Sequence, residues 1–207
     1  MNAPVQRPLL LVVSAPSGAG KTTLCARLLE AFPAIIRSVS CTTRAPRAGE
    51  VNGRDYVFLN AAEFQKQIAA GAFLEYAQVH GASYGTPRAP VERALRTGRD
   101  VLLIIDVQGA ARIRQLMARP AGGALRRAFV DVFIVPPDTE TLRRRLVARG
   151  QDSPDDIKRR LKNAAREMAC APCFQHRIVN DRLEDAVARL RAVVAAEHGR
   201  VTKTDAG

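Results

Sequence analysis

One stretch limits the fold more than any other. Ser14, Ala15, Pro16, Ser17, Gly18, Ala19, Gly20, Lys21, Thr22 and Thr23 follow the apolar run Leu9 to Val13 and lead into Leu24, Leu28 and Phe32, spaced four residues apart. A strand, a Gly-rich turn and an amphipathic helix in that order form a phosphate-binding loop, or P-loop. Gly18 and Gly20 let the backbone curl so that successive N–H groups converge on one phosphate. The helix that opens near Gly20 adds its positive end. Lys21 brings a charge for the β and γ phosphates, and Thr22 a hydroxyl for Mg²⁺. The strict pattern has Gly where this chain has Ala15, which requires negative φ there. Such a loop points to a nucleoside triphosphate and is shared by ATPases, GTPases, small kinases and nucleic-acid motors; a chain of 207 residues is short for a helicase.

The remaining apolar runs extend the pattern. Val101–Ile105, Val132–Val135 and Ile178–Val179 are continuous rather than alternating, as in strands buried on both faces of a parallel sheet. Helical stripes lie between them: Val91 and Leu95 before Gly98, Leu142 and Leu146 before Gly150, and Leu183, Val187, Leu190 and Val194 near the end. Asp181 with Glu184 predicts a capping box for the last helix. Ser153, Pro154, Asp155 and Asp156 predict another helix start, followed by Ile157, Leu161 and Met168 on one face. Strands alternating with helices predict an α/β fold. Residues 38–88 are polar and Gly-rich, with Tyr56, Tyr76 and Tyr84, and read as an inserted mixed subdomain. Residues 139–168 read as an Arg-rich helical segment. The core is then 1–37, 89–138 and 169–198, and 199–207 is expected to be a frayed, disordered tail.

Lys and Arg total 32 against 20 Asp and Glu, a net charge of +12. That sign favours an anionic partner, whether phosphorylated small molecule, acidic membrane surface or nucleic acid. No run approaches the ~18 apolar residues that span a bilayer, and no long apolar core of a signal peptide is present. The expected location is cytoplasmic, with the four cysteines as thiols. Cys170 and Cys173 form a Cys-x-x-Cys pair, but no second pair completes a zinc site, and the pair falls where a helix should end rather than begin. His80, His176 and His198 sit in no catalytic pattern.

A second site is suggested inside 38–88. Arg44 and Arg47, with Tyr56 downstream, can clamp one phosphate; a surface turn around Pro46 is the plainer alternative. Glu75 is a lone acid among apolar neighbours, able to accept two N–H bonds from a guanine edge; an exposed acid on a strand edge is the plainer alternative. Tyr84 and Thr86 add a phenol and a hydroxyl. With these residues the chain resembles guanylate kinase over roughly residues 8–195. The resemblance rests on seven ordered pieces, at 14–21, 42–50, 53–56, 84–86, 105–110, 149–153 and 178–181.

That resemblance implies a P-loop NTPase core, with 38–88 as the GMP-binding subdomain and 139–168 as a lid, and phosphoryl transfer from ATP to GMP with Mg²⁺. It implies that Arg44, Arg47, Tyr56 and Tyr84 hold the GMP phosphate, and that Ser40, Glu75, Thr86 and Asp106 read guanine. Arg149 and Arg160 would be lid arginines on the ATP phosphates, and Asn180 would lie by the adenine. Lys21, Arg44, Arg149 and Arg160 would surround the transferring group. Family members often carry an acid two residues before Asp106; Ile104 stands there, which leaves Mg²⁺ to Thr22, Asp106, phosphates and water. Two other readings stay open: a non-catalytic guanylate-kinase-like interaction module, disfavoured by the intact Gly20-Lys21-Thr22, and a kinase for a ribose phosphate, disfavoured by the guanine readers. No specific nucleic acid or membrane partner is expected, and the oligomeric state is left undecided.

Overall fold

The apolar runs pair with one another, and that builds a parallel sheet. A computed structural model gives the fold and describes residues 7–79, 81–119, 123–148, 150 and 153–200. The chain opens with β1 (Leu10–Ser14), α1 (Lys21–Ala31) and β2 (Ile36–Arg37). It continues through β3 (Cys41–Thr42), β4 (Val57–Phe58), α2 (Ala61–Ala69), β5 (Phe73–Val79) and β6 (Ala82–Pro87). Then follow α3 (Arg88–Arg96), β7 (Val101–Ile104), α4 (Val107–Ala118), α5 (Gly123–Ala128) and β8 (Phe129–Val135). The last elements are α6 (Thr139–Ala148), α7 (Pro154–Met168), β9 (His176–Val179) and α8 (Leu183–Gly199).

Five strands form a parallel sheet in the order β2-β7-β1-β8-β9. Its central strand β1 is buried at every position. Leu11 and Val13 face a cluster that includes Leu24 and Leu28 of α1 and Leu190 and Val194 of α8. Leu10 and Val12 face the opposite cluster, with Val91 of α3, Ile113 of α4 and Leu125 of α5. The result is a three-layer α/β/α core, which is why the strands read as unbroken apolar text. A second sheet, β4-β3-β6-β5, lies wholly within residues 41–87. It has its own small cluster around Cys41, Phe64 and Phe73. The α6–α7 pair has another, around Leu142, Leu146 and Ala164.

The structure corrects several sequence expectations. β8 starts three residues before the apolar run because it contains Asp131, which is fully buried. Arg114 Nη1 lies 2.8 Å from its carboxylate, and the Gln175 N–H donates to it at 2.8 Å. A paired acid is tolerated in a strand that an unpaired one would break. Asp131→Ala is expected to lower unfolding free energy by about 3 kcal/mol, by stranding Arg114; denaturant midpoints for this variant and Asp131→Asn measure it.

The Asp181–Glu184 capping box is absent. Arg182 is the N-cap of α8 and has no side-chain cap bond. Arg145 holds the carbonyls of Asn180 and Asp181 at 2.9 and 3.1 Å, which engages Asp181 before the helix begins. The Ser153–Asp156 capping box does form at the start of α7. Gly199 belongs to α8 rather than to the tail, and residues 201–207 lie outside the described residues. Two histidines have partners that their sequence spacing hid. His176 Nε2 lies 3.0 Å from the buried Glu197, and His198 Nε2 lies 2.9 Å from Asp100. Both pairs stand at the N-terminal edge of the parallel sheet, away from the phosphate loop. His80 lies outside the described residues.

Candidate functional site

The loop after β1 has the geometry its glycines allow. Gly18 and Gly20 have φ of 88° and 89°, a region that side chains with a Cβ avoid. Gly20 is the N-cap of α1, so the helix's positive end faces the loop. A Cβ on Gly20 would lie 2.4 Å from Asn180 Nδ2, and one on Gly18 would lie 2.9 Å from Leu146. The loop is therefore pinned by the end of β9 on one side and by α6 on the other. Ser14, Ala15 and Ala19 are buried behind it.

A cavity of about 560 Å³ opens over this loop. Ala15, Pro16, Ser17, Gly18, Gly20, Lys21, Thr22 and Thr23 line it, with Asp106, Arg145, Glu167, Asn180 and Asp181. Asn180 borders the cavity, but its amide is committed to the loop: it is 4% exposed and Nδ2 donates to the Ala19 carbonyl at 2.8 Å. Arg145 is a cavity residue that the sequence hid among neighbouring arginines. Arg160 Nη1 approaches Ser17 Oγ at 3.4 Å. Arg149 lies outside the described residues.

Lys21 Nζ donates to the Ile105 carbonyl at 3.0 Å. Burial pushes its pKa down, and the nearby Cys25 thiol and the Asp106 and Glu167 carboxylates oppose that. Among the described residues no group of three or more His, Cys, Asp or Glu could hold a metal on its own. Mg²⁺ does not require one, because phosphates and water complete its shell. Thr22 and Asp106 share the cavity wall, so the oxygen donors present fit that ion.

A second cavity, of about 180 Å³, lies between the two sheets. Ser40, Tyr56, Glu75, Tyr84, Ile104 and Asp106 line it. Glu75 comes from β5 and is 6% exposed. Thr86, its partner in β6, donates to Oε1 at 2.6 Å. Burial raises the Glu75 pKa to about 7; the Thr86 bond opposes the rise, Asp106 adds to it, and Arg112 opposes it. Asp106 is the N-cap of α4, accepting from the Gly109 N–H at 2.9 Å. A Cβ on Gly109 would lie 2.7 Å from Glu75 Oε2. Glycine there lets the first turn of α4 reach the carboxylate.

Arg44 stands beside this cavity. Its guanidinium lies over the Tyr56 ring, 4.9 Å from the centroid, and forks onto Glu50 with two contacts of 2.6 Å. That fork, followed by the Arg47 N–H at 2.8 Å, holds the Glu50 pKa down at about 2. Glu50 also raises the Arg44 pKa. Arg44 Nε is buried without a hydrogen-bond partner among the described residues. Tyr56 and Tyr84 meet edge to face at 6.0 Å. Arg47 is exposed and is not part of the cavity wall. Sequence reasoning missed Glu50, Gly109 and Arg145. For Glu50 the signal was its position three residues after Arg47; Gly109 and Arg145 needed the folded neighbours.

Cys170 is partly buried and Cys173 exposed, bounding a 3₁₀ turn at Ala171–Cys173 just after α7. Neither lines either cavity. The two cavities, in contrast, share Lys21, Val79 and Asp106.

Comparison with known proteins follows the same lines. The family model described as guanylate kinase matches residues 7–197. A guanylate kinase of Geobacter metallireducens is 48% identical, covering 93% of this chain and 90% of the relative. One from Dechloromonas aromatica is 50% identical, covering 90% of this chain and 88% of the relative. The crystal structure of guanylate kinase from Anaplasma phagocytophilum superposes with a TM-score of 0.76 at 35% identity, covering 95% of this chain and 89% of that one.

Proposed function

This chain belongs to the guanylate kinase family, and from that premise we propose how its residues divide the work of moving the terminal phosphoryl group of ATP to GMP. The observation that carries the proposal is the meeting of the two cavities at Lys21 and Asp106. Phosphoryl transfer needs donor and acceptor in line and their charge neutralised, with little covalent chemistry by the protein. Two anion-receptive cavities that share one lysine suit that need.

ATP takes the larger cavity. The loop N–H groups, the start of α1 and Lys21 hold its phosphates, and Asn180 keeps the loop in shape behind them. Arg160 and Arg149 belong to the lid that completes the phosphate shell, and Arg145 borders the same space. Thr22 would hold Mg²⁺ together with the ATP phosphates and water; when bound, that ion neutralises charge on the transferring group.

GMP takes the smaller cavity. Glu75, with Ser40, Thr86 and Asp106, reads the guanine edge. Arg44, Arg47, Tyr56 and Tyr84 hold its phosphate. The orphaned Arg44 Nε supports this, since a phosphate oxygen would satisfy it. Residues 38–88 and 139–168 move as the GMP and lid units against a core of 1–37, 89–138 and 169–198. The separate apolar clusters of the two units support such motion, and closure excludes water from the transfer. The acceptor is already an oxyanion, so no general base is needed. A cytoplasmic setting is part of the proposal, supported by four free thiols.

ADP formation measured with ATP and each of GMP, AMP, CMP and UMP tests the assignment; only GMP should give rapid turnover. A ribose phosphate acting in place of GMP would transfer the reading to another kinase class. The Gly109 contact adds a sharper test. Gly109→Ala should raise the KM for GMP about tenfold or more, by displacing the Glu75 carboxylate, with the KM for ATP unchanged. Alanine is a better helix former than glycine, so helix weakening would not explain that loss.

A further inference from the structure

Helix α7 meets the phosphate loop through two side chains seven residues apart, Arg160 and Glu167, which therefore share one face of the helix. Both meet Ser17. Arg160 Nη1 lies 3.4 Å from Ser17 Oγ, and the Ser17 N–H donates to Glu167 Oε2 at 3.3 Å. Glu167 borders the larger cavity, and its charge partly opposes the burial that lowers the Lys21 pKa. It also breaks a local rule. It sits in the last turn of α7, where the helix end is already negative and an acid is disfavoured. A residue that is unfavourable in its own helix and favourable on the loop marks a site where function overrides local preference.

We propose that Glu167 is a built-in competitor for the ATP phosphates. With no nucleotide bound, its carboxylate takes a backbone donor of the loop and its charge occupies the phosphate cavity; ATP must displace it. The proposal rests on the larger cavity being the ATP phosphate site. Displacement has a structural consequence. Glu167 leaves Ser17 while Arg160 stays attracted to the incoming phosphates, so α7 must re-seat on the loop as ATP arrives. The device ties lid position to occupancy of the loop and weakens ATP binding in proportion to how often the carboxylate is docked.

The test compares wild type with Glu167→Gln, and with Glu167→Ala as a second variant in case the first fails to fold. Calorimetry reads the affinity for ATP, for pyrophosphate and for GMP, each alone. The expected result is about tenfold tighter binding of ATP and pyrophosphate by the variants, with GMP affinity unchanged. A tenfold gain corresponds to a docked carboxylate in about nine nucleotide-free molecules of ten. Structural damage at the lid would weaken binding, so a gain separates the two causes. Equal or weaker ATP binding by the variants overturns the competitor role and leaves the ATP-site reading standing. Failure of wild type itself to bind ATP or pyrophosphate overturns both.

Discussion

Lys21→Ala lowers kcat by about two to three orders of magnitude, the usual loss when one preorganised charge on a transferring group is removed, and leaves GMP affinity within a few-fold of wild type. Lys21 is the basic side chain that borders both cavities. It is held over the junction by the Ile105 carbonyl at 3.0 Å. Burial works against its charge, while Asp106 and Glu167 support it, and incoming phosphates add further support. In the proposed arrangement GMP binds largely through Glu75 and the Arg44 cluster, so its affinity is expected to survive. Lys21→Arg does not rescue, because a planar guanidinium does not fit the place of a compact ammonium. Single-turnover kinetics and GMP titration without ATP measure the two halves. Turnover within a few-fold of wild type would place the transfer elsewhere.

Glu75→Gln lowers kcat/KM for GMP roughly 100-fold or more, and narrows the preference for GMP over AMP. A carboxylate accepts from both the N1–H and the 2-amino group of guanine. An amide presents one acceptor and one donor, and the donor opposes a guanine N–H. The pH dependence gives a second reading of the same group. Burial raises the Glu75 pKa to about 7, so in wild type the neutral form accumulates below that pH and GMP affinity falls as pH drops. GMP binding near pH 7 then releases a proton from Glu75, and the variant releases none there. Stability follows the same linkage. The folded protein binds this proton more tightly than the unfolded chain does. Unfolding free energy therefore falls as pH rises from about 4.5 through about 7, and Glu75→Gln removes that slope. Thermal melts across this range, with calorimetry in buffers of different ionisation enthalpy, measure both effects. An unchanged GMP-to-AMP ratio would remove Glu75 from guanine selection.

The parts of the site legible in the sequence are those fixed by short-range geometry. The phosphate loop was readable because its glycines, lysine and helix start constrain one another within ten residues. Glu75 drew notice as a lone acid among apolar neighbours, but the family resemblance was needed to prefer a buried reader over an exposed strand-edge acid; Ser153 was readable because helix caps are local. The strands of the core were readable because burial on both faces leaves no polar gaps, and β8 was cut short where Asp131 made such a gap. What stayed hidden depends on partners brought together by the fold. Arg145 is one arginine among several until Asn180 and Asp181 meet it. Gly109 is an ordinary helix residue until Glu75 lies against it. Asp106 is a helix cap as well as a cavity wall. Asn180, expected beside the adenine, has its amide bonded to the phosphate loop.

The central claim is direct transfer between two nucleotides that meet at Lys21. Incubating the protein with ATP labelled in its γ phosphate, Mg²⁺ and unlabelled GMP tests it most directly. The label should appear in the β position of GDP, at the rate ADP forms, with almost none released as inorganic phosphate. Label released as inorganic phosphate while GMP stays unchanged would contradict the account.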